Sequence, residues 1–163
     1  MTWMKRFYLP VLLMLAAVSV AVAAPPRPVP EMTLTSLQSA AVSGKDLAAS
    51  SRWLLVYLSG DERVDGRLIE ALGAFSGSLD AERVAVAVAG LPVQGLQELV
   101  ARHPPLAELN WLTDADRSAA KALQLSGSPA VLGGNGDNIE WVATGAASDP
   151  KELESLMKDW VRQ

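Results

Sequence analysis

The run Trp53-Leu54-Leu55-Val56-Tyr57-Leu58, followed at once by Ser59-Gly60-Asp61-Glu62-Arg63-Val64-Asp65-Gly66 and then Arg67-Leu68-Ile69-Glu70-Ala71-Leu72, decides how the rest of the chain is read. Six apolar residues without alternation fit a central strand covered on both faces. The acid-rich segment after it predicts a turn. Beyond it Leu68, Leu72, Phe75 and Leu79, with Ile69 beside them, predict one apolar stripe on a helix. A strand that passes through a turn into a helix presents side chains beside a helix N-terminus, where many α/β folds keep their chemistry. Here the turn offers carboxylates.

Downstream, Arg83 to Ala89 alternates valine and alanine and predicts a second strand, whose alanines leave room for a close helix. Leu96, Leu99, Val100 and His103 have helical spacing up to Pro104-Pro105. Leu109 to Leu112 predicts a short strand, and Asp114 to Leu125 a short helix capped by Thr113 or Asp114. Ser126-Gly127-Ser128-Pro129 leads into a strand. Asn135-Gly136-Asp137 predicts a tight hairpin turn, with Ile139 to Thr144 returning. The last helix has Asp149 as cap, Pro150 and Glu152 in its first turn, and Leu153, Leu156, Met157, Trp160 and Val161 on one face. Upstream, Met32 to Leu37 alternates as an edge strand does, and Ala41 to Leu47 pairs back on it. Strands alternating with helices and ending in a hairpin imply an α/β fold: a mixed central sheet, helices on both faces, and a C-terminal β-hairpin and helix.

The chain has 163 residues, half of them hydrophobic, and no cysteine. Lys5 and Arg6 precede an apolar run from Phe7 to Val22, and Ala21-Val22-Ala23 has the small-x-small pattern of a signal-peptidase site. Residues 1–23 therefore read as a secretory signal, with an uncleaved anchor as the alternative. Residues 24–31 read as a proline-rich tether and 32–163 as one domain. Lipidation at cysteine is excluded. The leader contains two basic residues and no acidic one, so its removal makes a chain of net charge −4 more acidic still. Such a surface does not favour nucleic acid. The expected location is the bacterial periplasm, with membrane contact only through the N-terminal segment if it is retained.

These residues resemble the thioredoxin-like fold in its exported, membrane-tethered thiol-disulfide reductase form, and are similar to the accessory thioredoxin-like proteins of methylamine utilisation. In that family a buried strand ends in a Cys-x-x-Cys loop, a helix follows at once, and a Gly-x-Pro segment with a cis proline lies beside the cysteines. Tyr57-Leu58-Ser59 matches the strand end, Leu68-Ile69-Glu70-Ala71-Leu72 the helix start, and Gly127-Ser128-Pro129 the proline loop. Trp111-Leu112-Thr113-Asp114 followed by Ala119-Ala120-Lys121-Ala122-Leu123 resembles the segment before that loop. Counting back from the helix puts Glu62 and Asp65 at the cysteine positions; counting forward from the strand gives Asp61 and Val64. The helix match is longer and favours Glu62 and Asp65.

Neither register contains sulfur, so thiol-disulfide exchange and thiol-based peroxidase chemistry have no nucleophile. With one histidine, His103, and no cysteine, the usual zinc, copper and haem sites lack ligands, and no metal or cofactor is expected. His103 fits a helix C-terminus, where it would interact with the last carbonyls. No Gly-x-Ser-x-Gly elbow supports Ser-His-acid catalysis. Asp61, Glu62 and Asp65 read either as helix-capping acids or as an acidic lip. Gly133 to Asn138 has the glycine spacing of a calcium-binding repeat, but it occurs once and reads better as a hairpin turn.

The expectation is a redox-inactive periplasmic module that binds a protein partner through Asp61, Glu62, Asp65, Gly127, Ser128 and Pro129, with no catalytic residue. The alternatives are an accessory factor in maturation or assembly of a periplasmic or membrane complex and, at the margin, a carboxylate enzyme using Glu62 and Asp65.

Overall fold

The computed structural model describes residues 25–75, 77, 81–145 and 150–162. The leader expected over 1–23, Leu79 and the Asp149 cap lie outside the described residues. Eight strands form one sheet in the order β1-β8-β7-β4-β5-β6-β2-β3. They are β1 (Arg27–Pro28), β2 (Thr33–Ser36), β3 (Ala41–Ser43), β4 (Trp53–Leu58), β5 (Val84–Ala89), β6 (Asn110–Asp114), β7 (Ala130–Asn135) and β8 (Asn138–Thr144). Five helices accompany them: α1 (Gly44–Leu47), α2 (Glu62–Phe75), α3 (Val93–Arg102), α4 (Ser118–Ala122) and α5 (Pro150–Arg162).

β4 lies at the centre, parallel to β5 and antiparallel to β7. All six of its residues are buried, which is why its sequence shows no alternation. Leu54, Val56 and Leu58 pack with Leu68 and Leu72 of α2, Leu96 and Leu99 of α3, and Met157 of α5. Leu55 and Tyr57 face the other way, toward Leu47 at the end of α1 and Ala119 and Leu123 of the α4 segment. β5 divides likewise: Val84, Val86 and Val88 join the three-helix face, and Ala85, Ala87 and Ala89 the α4 face. Each fully buried leucine contributes about 1.5–3 kcal/mol, so the core rests chiefly on the branched residues of β4 and β5 and the helices over them.

The chain departs from its expected layout in six places. β2, expected at an edge, lies between β6 and β3, and the helix expected over Asp114 to Leu125 shortens to α4 because Asp114 still belongs to β6. The proline stretch is not merely a tether, because Arg27 and Pro28 pair with Ile139 and Asn138. Val29 N–H donates to the Asp137 carbonyl at 2.8 Å, and Arg27 Nη2 to the Leu123 carbonyl at 2.5 Å. Proline is tolerated there because an edge strand need not donate on its outer side. The segment after Ser43 turns into the one-turn helix α1 instead of continuing as a strand. Ser43 Oγ accepts from Asp46 N–H at 3.3 Å while the Asp46 carboxylate accepts from Ser43 N–H at 2.7 Å, a reciprocal cap. α2 begins at Glu62, inside the segment read as a turn. On α5, Leu153, Met157 and Val161 are buried but Leu156 is 37% exposed, so the apolar stripe is narrower than its spacing suggested.

The end of β7 is closed by tryptophan. A Cβ on Gly134 would stand 1.9 Å from Trp53 Cζ2, and one on Gly133 2.2 Å from the Trp141 indole, so both positions are beds for rings. Trp53 Nε1–H donates to the Gly136 carbonyl at 2.9 Å. Trp160 meets Trp141 edge to face at 5.8 Å between centroids and donates to the Trp53 carbonyl at 3.1 Å. The guanidinium of Arg52 lies 4.2 Å over the Trp160 ring. The run Gly133 to Asn138 is thus the end of β7, its turn and the first residue of β8.

Candidate functional site

At the other end of β4 the chain leaves through Ser59 and Gly60 into α2. Gly60 has φ +85°, and a Cβ there would lie 2.7 Å from the Ala89 carbonyl, so a side chain is excluded twice over. Asp61 caps the helix: its Oδ1 accepts from Arg63 N–H at 2.9 Å, and its carbonyl accepts from Val64 and Asp65 N–H. Asp65 turns inward and is 2% exposed. Its Oδ1 accepts from Ser59 N–H and Ser59 Oγ–H, and its Oδ2 from Gly60 N–H, all at 2.9 Å. One carboxylate therefore ties the end of β4 to the first turn of α2.

Glu62 differs. Its side chain is 51% exposed, and Oε1 accepts from Arg102 Nε and Nη2 at 2.9 and 2.5 Å. Asp65 and Glu62 thus share no cavity: one is enclosed by backbone donors, the other is an ion pair in solvent. They are not arranged as an acid-base couple.

The pairing of Tyr57 with Ala130 is the last of the β4–β7 ladder, so Pro129 and the loop before it lie at the end of the sheet where β4 runs out into Ser59. Pro129 is buried, its peptide bond to Ser128 is cis, and its carbonyl accepts from Gly145 N–H at 2.8 Å. Ser126, Gly127 and Ser128 are exposed. Among the described residues the main-chain groups of Gly127 and Ser128 have no hydrogen-bond partner within the protein. Of the six residues expected at a partner surface, Asp61, Glu62, Gly127 and Ser128 reach solvent. Asp65 and Pro129 do not, and this corrects their assignment as contact side chains: the first is consumed by its own turn, the second by the start of β7.

Three more residues complete this end of the sheet: Asp114, one of the two caps expected for the helix after it, and Tyr57 and Arg117, for which the sequence suggested no such role. Tyr57 O–H donates to Asp114 Oδ2 at 2.7 Å in the interior. The Asp114 carboxylate also accepts from Ala119 and Ala120 N–H, at 3.2 and 2.9 Å, so it caps α4 from below. Burial, reinforced by the hydrogen bond to Asp114 and its charge, holds the Tyr57 phenol well above its ordinary range. Arg117, just before α4, has φ +61° and lies over Gly90, whose φ is +70°.

His103 ends α3. Its main-chain N–H, not its ring, bonds to the Val100 carbonyl, at 3.0 Å, and its buried Nε2 has no partner among the described residues. Its ring lines a largely apolar groove of about 510 Å³ with Ile69, Pro105 and Leu106. Among the described residues no three His, Cys, Asp or Glu side chains are grouped to hold a metal ion. No described helix is long and apolar enough to cross a membrane.

No family model matches the sequence, and no curated protein matches it. Solved structures do. A hypothetical protein from Sinorhizobium meliloti is 14% identical, with a TM-score of 0.66 and coverage of 85% of each chain. A secreted Mycobacterium tuberculosis disulfide oxidoreductase homologous to E. coli DsbE is 18% identical, with a TM-score of 0.62, covering 76% of this chain and 92% of that one. The M. tuberculosis protein DsbF, solved in mixed oxidized and reduced forms, is 17% identical with a TM-score of 0.64, covering 80% and 92%. Identities this low establish the fold alone: the chain is thioredoxin-like in architecture and has no cysteine.

Proposed function

We propose, taking a thioredoxin-like fold without thiols as the premise, that this protein is a redox-inactive periplasmic module that binds an extended segment of another protein. The single observation that carries it is the exposed loop before Pro129, where Gly127 and Ser128 present unpaired main-chain groups at a sheet end. Unpaired N–H and C=O groups on a fixed, exposed backbone are what strand addition uses, and they need no reactive side chain. The neighbouring turn of Ser59 to Asp65 supports the same role. Its inner carboxylate is engaged by three donors and its outer one by Arg102, so the turn is fixed by its own bonds and supplies no nucleophile.

The test is comparative capture from a periplasmic extract. The wild-type protein is expected to retain a defined species that Ser128→Lys loses and Glu108→Lys keeps, because Glu108 is exposed near the opposite end of the sheet. Equal capture by all three would move the interface elsewhere. Insulin reduction and peroxide turnover by the purified protein are expected at background level, and activity in either assay would overturn the redox-inactive assignment.

A further inference from the structure

Beside the loop lies a small cavity of about 160 Å³, floored by Tyr57 and Ala89, walled by Ala120 and Leu125, and rimmed by Arg117 and Ser126 to Ser128. Its volume is below the 300–1,000 Å³ typical of sites for whole small molecules. It accommodates one side chain.

Its one cation is Arg117. Among the described residues this guanidinium makes no hydrogen bond and no ion pair, although the chain carries more acidic than basic side chains. The adjacent acids are already engaged. Asp114 accepts from Tyr57 O–H and from Ala119 and Ala120 N–H, and Asp116 accepts from Ser118 N–H at 3.0 Å. Arg117 is exposed, and its guanidinium lies along Gly90 at the cavity rim: a methyl built there would make ordinary van der Waals contact with it, 3.4 Å from Nη2 and 3.5 Å from Nε. Arg117 itself keeps a left-handed backbone, a conformation that opposes an L residue and is retained when the surroundings impose it.

We infer that this cavity receives the carboxylate of an aspartate or glutamate on the extended partner segment, with Arg117 as its counter-ion and Ser126 or Ser128 as a hydroxyl donor. The inference rests on the peptide-docking role proposed above and adds the partner's chemistry: an acidic side chain placed one cavity away from the strand-forming backbone. Arginine suits the task because its planar fork matches a carboxylate with two parallel bonds.

The test is a ¹H–¹⁵N NMR titration of the protein with two blocked peptides, acetyl-Ala-Val-Glu-Val-Ala-amide and the same peptide with Gln for Glu. The Glu peptide is expected to bind about fivefold more tightly, the range of a partly solvated ion pair. It should shift the Arg117 side-chain Nε–H signal together with the Gly127 and Ser128 amides. Arg117→Gln is expected to abolish the preference and Arg117→Lys to keep part of it. Equal binding of both peptides, with Gly127 and Ser128 shifting alike, would overturn the carboxylate inference and leave the docking role standing. Shifts elsewhere, or none with either peptide, would overturn both.

Discussion

Two loops meet at one end of this sheet, and they are built on opposite plans. The segment Ser59 to Asp65 satisfies itself: Asp61 caps α2, Asp65 gathers three donors, and Glu62 is held by Arg102. The segment Ser126 to Ser128 leaves its main chain open to solvent beside a buried proline. Where thiol-bearing members of the resembled family place reactive side chains, this chain has turned the helix start into structure. What it leaves available is backbone. The donors and acceptors of a loop can hold its shape without any thiol beside them, as both segments show here.

The sharpest way to break the contrast is Asp65→Ala. It removes the shared acceptor of the half-buried Ser59 and the exposed Gly60 N–H groups and should cost about 2 kcal/mol, read as a lowered urea midpoint. A loss below about 1 kcal/mol would mean that the turn is not held by its own carboxylate.

Next comes Tyr57→Phe, expected to cost about 1.5 kcal/mol because Asp114 keeps its two backbone donors. The same bond carries a pH signature. The phenol's folded value lies above its ordinary one of about 10, so its contribution is complete below about pH 10 and is lost as the pH climbs through the folded value. Of the two tyrosines, Tyr8 lies in the expected leader. Absorbance at 295 nm of the leader-free protein should therefore show no phenolate near pH 10 and that of Tyr57 only at higher pH, together with alkaline unfolding. A phenolate step near pH 10 in the leader-free protein would contradict a buried Tyr57–Asp114 bond.

Glu62→Gln should move stability by no more than about 0.5 kcal/mol, since the Arg102 pair is half-exposed, and the small effect should vanish at 1 M salt in a double-mutant cycle with Arg102→Gln. Ser128→Ala is expected to change calorimetric stability least, within about 0.5 kcal/mol, because its side chain is exposed and makes no bond within the protein. A large loss at Ser128 would show the second loop to be structural as well, and the contrast would be gone.

Much of this architecture was legible in the sequence. Continuous apolar residues disclosed β4, valine-alanine alternation β5, and helical spacing α2, α3 and α5, because burial imposes those periods directly. β1 was hidden by prolines, which signal extended chain but say nothing about what it pairs with. The first turn of α2 was hidden by Gly60, Gly66 and three acids, a composition that serves loops and helix starts alike. Within the site, capping was one of the two roles anticipated for the acids, yet which of them turns inward is decided by the angle at which α2 leaves β4. The Tyr57–Asp114 bond spans 57 residues and has no local trace. Nor does arginine announce a left-handed backbone: Gly or Asn would have flagged position 117, and the residue present does not.

The tryptophan cluster has an experimental corollary. Trp53 opens β4, and the two loops lie past its far end, roughly 17–20 Å away for a six-residue strand. Indole emission from Trp53, Trp141 and Trp160 will therefore track the undocking of α5 and stay dark to a ligand in the loop. A flat fluorescence titration is no evidence against an interaction in this molecule, and assays of it call for a reporter placed at the other end.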